Sequence, residues 1–202
     1  MLGSMSPGES IAALGCRLDF IKGKFGMRRN VLICILTSLL VGCNTFNGPV
    51  FRTTTNDMSP TIKEGDTVFS DPTYYKHSPV ARGDIVVVGD PDEKKNPDGR
   101  VQMYIKRVIG LGGDKVQIVS GKVYVNDQIL GGAFGTGKYF SDNPVKDFGP
   151  VIVRQSEYFL VGDNLANSAD SRHWKRSTVK IEDIQGKVTQ IKERDTGNTR
   201  SL

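Results

Sequence analysis

The run Val116-Gln117-Ile118-Val119-Ser120-Gly121-Lys122-Val123-Tyr124-Val125 places an apolar residue at every second position on both sides of Ser120-Gly121. β-Branched side chains in that rhythm suit a pleated, half-buried strand. A Ser-Gly pair between two such runs suits the two-residue turn of a hairpin. Further out in both directions the same kind of segment recurs: Thr67-Val68-Phe69, Ile85-Val86-Val87-Val88, Val151-Ile152-Val153, Tyr158-Phe159-Leu160-Val161 and Lys187-Val188-Thr189-Gln190-Ile191. No part of 43–202 sustains a 3.6-residue period, and only 179–185 suggests a short helical turn. Two stretches interrupt the strands. Asp90 to Arg100, with Pro91 and Pro97, reads as a solvated loop, and Gly131 to Pro150, with five glycines and two prolines, reads as a longer surface insertion. The expectation is one mostly antiparallel β domain over about 50–191, with a small satellite subdomain around the hairpin.

Composition narrows the classes. With 202 residues, 38% hydrophobic, the chain can bury a core and is not a disordered polymer. It contains no run of about 20 apolar residues, which excludes a polytopic membrane protein. The formal charge of +5 looks basic, but the first 42 residues hold five basic and only two acidic side chains, leaving +2 for 43–202. A nucleic-acid binder concentrates positive charge on its folded domain, so no nucleic-acid partner is expected. His77 and His173 have no neighbours at metal-ligand spacing, and neither a metal nor another cofactor is expected.

The N-terminal excess has its own explanation. Arg28-Arg29 precede an apolar run from Val31 to Gly42, the layout of an export signal with a positive n-region and a short h-region. The run ends Leu40-Val41-Gly42-Cys43, which resembles the lipobox of bacterial lipoproteins, where the cysteine is lipidated and becomes the mature N-terminus. The alternatives are an uncleaved signal anchor with Cys43 incidental, or a buried helix. Met27 stands directly before the arginines, so 1–26 reads as a non-native extension and 27–43 as the signal or anchor. The three cysteines, Cys16, Cys34 and Cys43, all lie in this region, in keeping with a domain that meets oxidants outside the cytoplasm. The charged tail 192–202 reads as a solvated end. Arg82-Gly83-Asp84 reads as a turn entering the next strand, and Trp174 as a packing residue.

Four segments carry chemistry: Thr55-Asn56-Asp57-Met58-Ser59-Pro60-Thr61, Arg82-Gly83-Asp84-Ile85-Val86-Val87-Val88, Tyr104-Ile105-Lys106-Arg107-Val108-Ile109-Gly110, and Gly162-Asp163-Asn164-Leu165-Ala166-Asn167-Ser168-Ala169-Asp170-Ser171-Arg172. In order and spacing they closely resemble bacterial signal peptidase I, a membrane-tethered Ser/Lys protease with an antiparallel, barrel-like β fold. The resemblance covers roughly 50–190. It implies that the residue before Met58 is the acylating nucleophile, a serine in the family and Asp57 here. It implies further that Lys106 stands at the general-base position and Thr55 at an oxyanion-hole hydroxyl. Ser168 matches a serine that hydrogen-bonds the lysine, while Asp163, Asp170 and Arg172 match charged groups that brace the site, the two carboxylates pairing with Arg172.

One substitution alters the chemistry these positions can perform. A serine hydroxyl attacks only when a neighbouring base takes its proton, and a lysine serves as that base only where burial draws its pKa from about 10.4 towards neutrality. A carboxylate beside the lysine favours the ammonium instead. Attack by the carboxylate itself would give a mixed anhydride on a poor amine leaving group. An Asp57–Lys106 ion pair is therefore expected where the family has a dyad. Ser59, two residues along, would reach the same site only if the segment were extended. A two-carboxylate mechanism needs a partner for Asp57, which Asp163 and Asp170 do not offer if both pair with Arg172.

The resemblance also implies a domain at the outer face of the cytoplasmic membrane, held by Cys43 or a single anchor, with a groove that takes an extended signal-peptide segment as an added strand. Three functions are then open: an impaired peptidase that still binds such peptides, an active signal peptidase with an unusual mechanism, and a non-enzymatic envelope lipoprotein or assembly partner.

Overall fold

A computed structural model describes residues 48–92, 98–131 and 146–202, which fall within one unit, 45–202. Its strands are β1 (Val50–Arg52), β2 (Thr67–Asp71), β3 (Ile85–Gly89), β4 (Met103–Gly110), β5 (Lys115–Val119), β6 (Lys122–Val125), β7 (Gln128–Ile129), β8 (Phe148–Ile152), β9 (Glu157–Val161), β10 (Val179–Lys180), β11 (Ile184–Lys192) and β12 (Thr199–Ser201). Helical structure among the described residues is confined to one-turn 3-10 segments at Tyr74–Lys76, Leu165–Asn167 and Ile181–Asp183. The class is mostly β and antiparallel, as expected.

Eight strands form the main sheet in the order β1-β2-β11-β3-β4-β9-β10, with β12 pairing β11 at its far end. β11 reaches both β2 and β3 because it is long and shifts register, pairing Lys187 with Asp71 on one side and with Val86 on the other. β3 is buried along its whole length, as its unbroken β-branched run requires. Ile85 and Val87 pack with Met58, Ile62, Val68, Val188 and Ile191, while Val86 and Val88 pack with Val108, Leu160, Trp174 and Val179. The central strand thus divides two apolar layers, one on each face.

The hairpin read from Val116–Val125 is present. Ser120 and Gly121 both take positive φ, 49° and 72°, as a type I′ turn demands. It belongs to a second sheet, β7-β6-β5-β8, which is the satellite subdomain. Val116, Ile118, Val123 and Val125 pack there against Ile109, Phe159 and Val161 from the main sheet and Leu165 just beyond it. Gly110 permits this approach, since a Cβ there would sit 2.7 Å from Val116 and 2.8 Å from Val153.

Three expectations change. The tail, mostly exposed as expected, is nonetheless tied to the fold: β12 pairs β11, Arg194 N–H donates to the buried Asp66 at 2.9 Å, and Arg200 donates to the Thr61 carbonyl. The loop after β3 begins with a buried aspartate, because Asp90 accepts the Tyr104 hydroxyl at 2.8 Å. The insertion expected to run to Pro150 stops earlier, since β8 starts at Phe148. Residues 1–47, with the signal and Cys43, lie outside the described residues, as do 93–97 and 132–145. Arg82-Gly83 forms the expected turn, with Gly83 at φ 98°, and Trp174 is buried beside Tyr104, ring centroids 5.7 Å apart.

Candidate active site

Lys106 sits on β4 between Tyr104 and Val108, whose side chains join the Trp174 layer, and it has no exposed surface. A lysine there needs an anion within reach, because an unpaired buried charge costs several kcal/mol. Asp57 supplies it: Lys106 Nζ donates to Asp57 Oδ2, and to the Ile105 carbonyl at 3.1 Å. The Thr55 hydroxyl donates to the other oxygen, Oδ1, at 2.7 Å. The ammonium also lies 5.2 Å from the centre of the Tyr104 ring. Burial first, then the hydrogen bond to Asp90, push the Tyr104 phenol up to about 12, and the Asp57 charge acts in the same direction.

Asp57 is carried by a turn, not by an extended strand. Ser59 N–H donates to the Asn56 carbonyl at 3.1 Å and Ile62 N–H to the Met58 carbonyl at 2.9 Å. That coil turns Ser59 away, so it does not line the cleft onto which Asp57 opens. The turn is fastened from a distant part of the chain: Asn164 N–H donates to the Asp57 carbonyl at 3.0 Å, and Asn164 Nδ2 to the Asn56 carbonyl at 3.1 Å. Gly162 makes this contact possible, because a Cβ there would run into the Asp57 carbonyl and the Ser168 hydroxyl.

The bracing charges pair differently from expectation. Asp170 is fully buried and takes a two-pronged contact from Arg172, Nε to Oδ1 at 2.8 Å and Nη2 to Oδ2 at 2.8 Å, with Gly162 N–H adding a third bond at 3.1 Å. Asp163 instead pairs with Arg107, Nε to Oδ1 at 2.7 Å and Nη2 to Oδ2 at 2.6 Å, and accepts the Thr61 hydroxyl. Arg107 follows Lys106 on β4 and reaches Asp163 beyond the end of the neighbouring β9, so Arg172 is left to Asp170 alone. Burial would raise the Asp170 carboxyl, but the Arg172 guanidinium more than reverses this and holds it well below the usual carboxylate range. Ser168 departs from expectation too. Its buried hydroxyl makes no hydrogen bond to Lys106 or to any other described residue.

A cleft of about 420 Å³ opens beside the pair. Thr53, Thr54 and Thr55 form one wall and Gln102 to Ile105 another, with Met58, Ile62 and Val87 below and Ala169 at the rim. The sequence reading assigned no role to Arg107 or Asn164. Arg107 was visible as a second cation beside Lys106, whereas nothing local marks Asn164 as a clamp. Among the described residues no group of three or more His, Cys, Asp and Glu side chains is placed to hold a metal ion.

The probable signal peptidase I-2 of Synechocystis sp. is 34% identical over 136 residues, covering 67% of this chain and 60% of that protein. The signal peptidase I of Leptolyngbya laminosa is 32% identical over 137 residues, covering 67% and 65%. The signal peptidase I of Bacillus licheniformis is 33% identical over 153 residues, covering 71% and 75%. The chain thus spans less than two thirds of the first two of these relatives. A crystal structure of a signal peptidase I from Enterococcus faecalis aligns with 55% of this chain and 98% of that one, at a TM-score of 0.42 and 26% identity. A family model described as signal peptidase, peptidase S26, matches residues 27–191, the greater part of the sequence, and the chain belongs to that family.

Proposed function

We propose that this protein is a catalytically impaired signal peptidase whose cleft still takes extended segments of signal peptides. The observation that carries the reading is the Asp57 carboxylate, held between the Lys106 ammonium and the Thr55 hydroxyl at the position where the family's serine attacks. An ammonium donating to Asp57 has no lone pair with which to take a proton from a nucleophile. Attack by the carboxylate would form a mixed anhydride and would have to expel a poor amine leaving group, so it gives no productive acyl-enzyme. The threonine hydroxyl, which would steady an oxyanion, is spent on Asp57. The relatives named as signal peptidases support the substrate class, peptides ahead of an export-signal cleavage point. The walls Thr53–Thr55 and Gln102–Ile105 support binding of that peptide as an added strand. The Arg28-Arg29 run and Cys43 support a place at the outer face of the cytoplasmic membrane.

The test is cleavage of a fluorogenic signal-peptide substrate by the full chain in detergent, beside Asp57→Ser and Asp57→Ser/Lys106→Ala. The expected result is turnover by Asp57→Ser alone, at least about a hundredfold above the parent chain. Turnover by the parent that vanishes with Lys106→Ala would overturn the reading and establish a peptidase working by a carboxylate–lysine route.

A further inference from the structure

The Asp57–Lys106 pair is lopsided. The ammonium has no exposed surface and touches Asp57 and the Ile105 carbonyl, whereas the carboxylate is 18% exposed and lies on the cleft wall. What the cleft meets at this point is therefore the negative end of the pair. Among the described residues that line the cleft, Arg52 alone is basic, and it is solvent-exposed on β1. Thr55 cannot offset the charge for an incoming group, because its hydroxyl proton already goes to Asp57 Oδ1.

We propose that Asp57 makes the cleft discriminate between peptide ends, accepting a chain that continues through the site as an amide and rejecting one that terminates there in a free carboxylate. This rests on the reading of the cleft as a signal-peptide groove. A backbone amide or carboxamide is neutral and can donate an N–H to Asp57. A terminal carboxylate has no proton to share, and would place a second anion against the first in a half-buried site where solvent screens poorly. The ligand class is thus the uncut precursor segment, with its cleaved product excluded. A serine at this position would impose no such charge rule. The substitution that removes attack would also confer a preference for peptides that have not been cut.

Two fluorescent peptides of one sequence, with alanines at alternate positions ahead of the end, separate the alternatives when one ends in carboxamide and the other in carboxylate. Titrated at pH 7 against the full chain by fluorescence anisotropy, the carboxamide is expected to bind at least about tenfold more tightly. Asp57→Asn keeps the shape and an acceptor for Lys106 while removing the charge, and should bring the two within about threefold. Asp57→Ala, which leaves Lys106 and Thr55 facing the cleft, should favour the carboxylate. Thermal unfolding run alongside reports folding, and Asp57→Asn carries the test if Asp57→Ala does not fold. Equal affinities in the parent chain, or a preference that survives Asp57→Asn, would overturn the proposal. Failure of both peptides to bind would overturn the groove reading on which it stands.

Discussion

At the scale of single residues, Lys106 is among the largest side chains without exposed surface in the described residues, and it persists in an apolar layer because Asp57 compensates it. Breaking such a pair from one side strands a charge, while replacing both members with apolar groups removes the desolvation cost as well. Lys106→Met should destabilise the chain by about 3 kcal/mol, and Lys106→Met/Asp57→Leu should return to within about 1 kcal/mol of the parent, both measured by urea unfolding. A double variant as unstable as the single one would mean that the pair is not the unit of stability. This pair was legible in the sequence because Met58-Ser59-Pro60-Thr61 and Tyr104-Ile105-Lys106 fix the register of both partners. The Asp163–Arg107 pair was not, since two arginines compete for two aspartates and only the strand geometry assigns them. The Ser168 hydroxyl misled for a related reason: a motif gives a residue's position, whereas its bond depends on how the neighbouring side chains are oriented.

Among elements, the hairpin at Ser120-Gly121 was readable because its determinants are local: alternation on both sides and two residues that tolerate positive φ. β1 and β12 were missed for the opposite reason. Val50–Arg52 and Thr199–Ser201 are three residues each, without a strong apolar rhythm, and become strands because β2 and β11 offer them edges to pair with. The short apolar element from Val31 to Gly42 is legible only as a sequence pattern, and its consequence is chemical. If Leu40-Val41-Gly42-Cys43 is processed as a lipoprotein signal, cells grown with labelled palmitate should yield labelled protein in the membrane fraction, and Cys43→Ser should lose all label. Retention at the membrane without label would assign the run to an uncleaved anchor.

For the molecule as a whole, the buried charges set the response to acid. Asp170, whose folded carboxyl titrates below its unfolded value, contributes stability that is present above about pH 4 and is lost as pH falls below it. Asp170→Asn should cost about 3 kcal/mol at neutral pH and flatten the acid limb of the stability curve, read from urea midpoints between pH 7 and 2. An unchanged acid limb would place the titrating group elsewhere. The placement of β11 has a consequence in time. β2 and β3 lie far back in the chain, yet the strand that joins them is 184–192, so neither can complete its pairing on that side until nearly the whole polypeptide is available. A chain emerging from the ribosome carries two bare strand edges throughout that interval, and contacts of such long sequence separation close slowly. Assembly of the main sheet is thereby deferred to the end of synthesis, after Asn164 is already available to fasten the turn that bears Asp57.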